Sequence, residues 1–82
     1  MLRHLAHVCK EARSQAGLTL NDVAAEADTS HATVSRFETH GTLPRKVGLE
    51  RLVGAYARLV GVAPSVLWGQ AVDLLRNTES PG

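Results

Sequence analysis

Residues 18–41, LTLNDVAAEADTSHATVSRFETHG, hold two short helical patterns separated by a brief interruption. Thr19 stands where an N-cap is needed, and Asp22 three residues on makes a weak capping box with it. Val23, Ala24 and Ala27 fall on one face of the helix that follows. Asp28-Thr29 interrupts it. Ser30 is a second N-cap residue, and Val34 and Phe37 lie on one face of the next helix. The other face of that helix carries His31, Ala32, Ser35 and Arg36. Short or hydrogen-bonding side chains opposite an apolar stripe suit a surface read against another molecule.

The sequence on either side supplies helices to hold this pair. Upstream, residues 2–16 follow helical spacing through Leu2, Leu5, Cys9, Ala12 and Ala16, with Ala6 and Val8 beside them. Gly17 is the expected stop, because glycine takes the left-handed conformation at little cost. Arg13 falls in the last turn, where the helix dipole favours a cation. Downstream, residues 39–46 read as a loop through Gly41 and Pro44, offering the Thr42 hydroxyl and the Arg45 and Lys46 cations. This is the chemistry needed to hold phosphates. Residues 47–60 form a fourth helix with an apolar stripe of Leu49, Leu52, Val53, Tyr56, Ala57 and Val60. Gly54 inside it costs roughly 1 kcal/mol against Ala, for which a close helix crossing is the expected reason. Gly61 stops this helix and Pro64 suits the first turn of the next. The fifth carries Val66, Leu67, Ala71, Leu74 and Leu75 and fades before Asn77, with Trp68 at the core edge.

Composition narrows the function. Eighty-two residues with 44% apolar content make one small core in one domain. No apolar run is long enough for a membrane span, and there is no signal-peptide pattern. The single Cys9 has no partner for an internal disulfide, which fits a reducing cytoplasm. The formal charge of +1 matters less than its distribution. Residues 18–30 hold Asp22, Glu26 and Asp28 without Lys or Arg, whereas residues 31–51 hold Arg36, Arg45, Lys46 and Arg51 against Glu38 and Glu50. His4, His7 and Cys9 do not make a metal site, because Cys9 points away from the His pair and no second Cys exists. No nucleophile stands beside a base and no phosphate loop or cofactor signature occurs, so no catalytic residue and no cofactor is expected. Phe37, Tyr56 and Trp68 are the only aromatics, too few for a single-strand stacking platform.

Residues 18–41 resemble the helix-turn-helix of the XRE family, the group of the lambdoid phage repressors and Cro. Val23, Ala24, Ala27, Val34 and Phe37 carry the likeness, with the turn between Ala27 and Ser30, and it extends over residues 3–69. Two positions depart from the pattern. Leu20 stands where a DNA-touching Gln is usual, so that role is not carried over. Asp28 stands where Gly is usual in the turn, and Asp tolerates the left-handed conformation better than most residues.

The resemblance implies an all-α, compact five-helix, lambda-repressor-like DNA-binding domain over residues 1–77, with 78–82 as a flexible tail. Helices 2 and 3 form the motif, and helix 3 enters the major groove. His31, Ala32, Ser35 and Arg36 then face base edges, while Ser30, Thr33, Thr42, Arg45 and Lys46 hold phosphates. Arg13 is implied to pair with Glu38. The function implied is that of a sequence-specific duplex-DNA-binding transcriptional regulator, Cro-like or a minimal phage-type repressor, acting as a dimer on a near-palindromic operator. Val66, Leu67, Leu74 and Leu75 are the candidate dimer surface, because they exceed what a small core needs. The alternative is a protein-interaction module, such as the antitoxin of a toxin–antitoxin pair.

Overall fold

Helix α1 (Leu2–Gln15) ends where Gly17 takes φ +71°, which lets the Leu18 N–H reach back to the Arg13 carbonyl at 3.0 Å. The computed structural model describes residues 2–43 and 48–79. Helix α2 (Leu20–Ala27) starts on the capping box: the Asp22 N–H donates to Thr19 Oγ1 at 3.1 Å and the Thr19 N–H to Asp22 Oδ2 at 2.8 Å. It stops at Asp28, the one described non-glycine residue with positive φ, at 55°. The Thr29 N–H then closes onto the Ala24 carbonyl at 2.9 Å, so the turn does form on Asp in place of Gly. Helix α3 (His31–His40) is capped by Ser30, whose hydroxyl accepts from the Thr33 N–H, and ends at Gly41. Helix α4 (Leu49–Val60) ends at Gly61, and α5 (Pro64–Glu79) starts on Pro64.

Every described residue in regular structure is helical. A Cα radius of gyration of 12.2 Å matches the value of about 12 Å that one packed domain of this length should have. Leu5 and Cys9 of α1, Val23 and Ala27 of α2, Val34 and Phe37 of α3, Leu52, Val53 and Tyr56 of α4, and Leu67 and Ala71 of α5 close one core. The Phe37 and Tyr56 rings meet at 6.3 Å, tilted by 49°. Trp68 packs at the core edge. No single described helix is long and apolar enough to cross a membrane.

Four expectations need correcting. Helix α5 does not fade before Asn77 but runs to Glu79, so residues 78 and 79 continue it rather than begin a tail. Leu67 is 1% exposed and belongs to the core, which removes it from any free surface. Leu2 and Ala16 are exposed, so the buried stripe of α1 spans only its middle turns. Gly54 does not mark a helix crossing: a Cβ there would meet only the Arg58 guanidinium, 3.4 Å away on its own helix.

Candidate nucleic-acid interface

The rotation of α3 is set by Val34 and Phe37, both 0% exposed. Three to four residues apart on one helix, they share a face, and burying it turns His31, Ala32, Ser35 and Arg36 outward. These four line one open depression together with Thr39 and His40. His31, Ala32 and Arg36 are exposed and Ser35 is half-buried. Among the described residues, none forms an ion pair or hydrogen bond with the exposed Arg36 guanidinium, whose N–H donors suit a ligand edge.

At the start of α3, Ser30 Oγ and Thr33 Oγ1 lie 3.0 Å apart and share a hydrogen bond. Both stand beside N–H groups that a helix N-terminus presents to anions. Thr42 is exposed just beyond the other end of α3. Arg45 and Lys46 lie outside the described residues.

Arg13 and Glu38 meet in a two-pronged pair. Arg13 Nε donates to Glu38 Oε2 at 2.8 Å and Nη2 to Oε1 at 2.9 Å, with side chains 15% and 4% exposed. Arg13 Nη1 also donates to the Leu18 carbonyl at 2.9 Å. Its hydrogen bonds to the Glu38 carboxylate hold the guanidinium protonated beyond its already high pKa. The Tyr56 hydroxyl donates to Glu38 Oε2 at 2.6 Å. One carboxylate on α3 is therefore held from α1 and α4 together, which fixes the height and tilt of the exposed face. Burial pushes the Tyr56 phenol up strongly, helped by its hydrogen bond to Glu38. Burial, then the Glu38 charge, push the Cys9 thiol up to about 12. Cys9 is thus an inert core residue.

The sequence places Tyr56 in the apolar stripe of α4, and its bond to Glu38 is not visible there. The signal that could have found it is general: a buried tyrosine hydroxyl needs a partner. Two other pairs were missed. Arg58 Nε donates to Glu26 Oε2 at 2.8 Å, joining α4 to α2, and Arg51 Nη2 to Asp28 Oδ2 at 3.2 Å, joining α4 to the turn after α2. Arg51 is therefore tied to the motif's own turn. Leu20 is half-buried and packs against the core.

Elsewhere, Val66 is 42% exposed, and Leu74 and Leu75 are half-buried. A groove of about 500 Å³ runs along the surface where α1, the end of α4 and α5 meet, with Val8, Ala12, Val60, Val66 and Leu74 among its lining. His7 is exposed and Cys9 fully buried, so these two cannot share a ligand. Among the described residues no three His, Cys, Asp or Glu side chains gather.

The family model described as a helix-turn-helix domain matches residues 4–67, which is α1 through the start of α5. No curated protein and no solved structure matches the chain. With the two capped helices, the left-handed turn at Asp28 and a match over more than half its length, the chain belongs to the helix-turn-helix domain family of the XRE and Cro-like group, a group of DNA-binding regulators.

Proposed function

We propose that this protein is a sequence-specific transcriptional repressor of the Cro-like or minimal phage type, binding a near-palindromic operator in duplex DNA as a two-fold dimer. The observation that carries the reading is the outward face of α3. His31, Ala32, Ser35 and Arg36 share one open depression while Val34 and Phe37 on the opposite face of the helix are buried. Arg36 donates to a guanine edge, Ala32 meets a thymine methyl, and His31 and Ser35 complete the readout. Ser30, Thr33, Thr42, Arg45 and Lys46 hold the phosphates on either side, positioning the helix without reading sequence. The exposed Val66, with Leu74 and Leu75, joins the two subunits.

Selection from a random duplex pool tests this reading, followed by titration of Arg36→Ala on the selected site. The parent should enrich a two-fold-related motif. Arg36→Ala should lose about 1–3 kcal/mol of discrimination at one base pair per half-site while its affinity for unrelated duplex changes little. An Arg36→Ala variant with the parent's affinity and base preference would show that α3 is not the reading element.

A further inference from the structure

Helix α1 carries a basic surface of its own. Arg3, His7 and Lys10 recur at helical spacing and share one face. All three are exposed, and none has an ion pair or side-chain hydrogen bond among the described residues. With Thr39 and Gly41 they line a groove of about 370 Å³ between α1 and the C-terminal end of α3. Its relief is fixed by Gly41, where a Cβ would stand 3.2 Å from the Arg3 backbone nitrogen. The one carboxylate in the lining is Glu38, only 4% exposed and already bound by Arg13 and Tyr56, so the groove keeps its positive character. Thr39 also lines the depression on α3, which makes the two surfaces continuous.

We propose that Arg3, His7 and Lys10 form a phosphate-contacting stripe that holds the duplex backbone beside the base pairs read by α3, a proposal that rests on the duplex-binding reading above. The cations stand in a row along an open groove and do not converge on one point, which suits a linear polyanion better than a single small anion. Arg3 and Lys10 are separated by about 10 Å of helix axis. Duplex DNA carries one charge per roughly 1.7 Å of its axis, so more than one phosphate falls within their reach. His7 between them adds a ring N–H donor. The stripe lengthens the DNA footprint past the α3 contacts, adding affinity without sequence information.

The test uses a duplex selected from a random pool, prepared with long flanks and again trimmed to the selected motif. The parent and an Arg3→Gln, Lys10→Gln double variant are checked for equal melting and titrated on both duplexes over a salt series. On the long duplex the variant's slope of log affinity against log salt should be shallower by about two, with base preference unchanged. Trimming should weaken the parent and leave the variant nearly unchanged. If Arg3→Gln lowers the melting temperature, Lys10→Gln alone carries the test, with a slope change of about one. An unchanged slope, or equal losses on trimming, overturns the stripe while leaving the duplex-binding reading intact. A parent that binds no duplex at low salt overturns both.

Discussion

Glu38 concentrates the strongest polar coupling of the fold in one side chain. At 4% exposure its charge has left water, and two Arg13 bonds and one from Tyr56 replace the lost solvation. Removing one partner of such a pair strands the other charge and costs about 3–5 kcal/mol. A domain of this size has only about 4–12 kcal/mol of total stability, so the loss is large. Arg13→Met should therefore melt well below the parent, and the double change Arg13→Met, Glu38→Leu should recover part of the loss. Adding Tyr56→Phe to the double should recover more, because the orphaned hydroxyl otherwise costs about 1–3 kcal/mol. Melting curves of the four proteins check the order. A single Arg13→Met with the parent's melting temperature would mean a solvated Arg13. The sequence could suggest this pair only through a family likeness, since 25 residues separate the partners and no local pattern links them. Asp28 was legible because its φ of 55° is a local matter of backbone sterics.

At the level of elements, boundaries were legible where a residue forces them. Gly17, Gly41 and Gly61 all sit at positive φ just past a helix, and Ser30 and Thr19 cap the starts they precede. The far end of α5 had no such punctuation. Asn77 and Thr78 are weak helix formers and Glu79 a good one, none of them a breaker, and the next breaker in the sequence is Pro81. The facing of α5 was also ambiguous. Val66, Leu67 and Trp68 are consecutive apolar residues, each rotated about 100° from the last, so periodicity alone did not fix which one turns inward. Packing selects Leu67 with Ala71 and leaves Val66 out. Gly54 is the case where a sequence reason failed outright. No atom of a neighbouring helix lies within 4 Å of a Cβ built there, and the one atom near it is the end of a flexible Arg58 side chain. Gly54→Ala should therefore stabilise the domain by about 1 kcal/mol, the helix-propensity difference. Denaturant unfolding measures it; a destabilised variant would mean that α4 needs closer packing at this point than the 3.4 Å contact indicates.

For the whole molecule the question is how so small a body attains specificity. One chain has a longest extent of 40 Å and a single outward reading helix, which covers only a few base pairs. The proposed two-fold dimer answers this by geometry. Successive major grooves on one side of the duplex repeat about every 34 Å, close to the length of one chain, so two chains side by side can seat one reading helix in each. In this proposal the joining surface lies on the exposed side of α5, with Val66 at its start and the half-buried Leu74 and Leu75 two turns further on. Val66 is 42% exposed, so a charge there should be tolerated by the monomer and rejected at a subunit contact. Val66→Glu should keep the parent's melting temperature and its half-site affinity, yet lose the extra affinity of the full site. Sedimentation on one full site should find two parent chains per duplex, filling it cooperatively. A single chain saturating the full site, with the half-site bound as tightly as the whole, would refute the dimer. Val66→Glu with undiminished cooperativity would instead move the interface off α5.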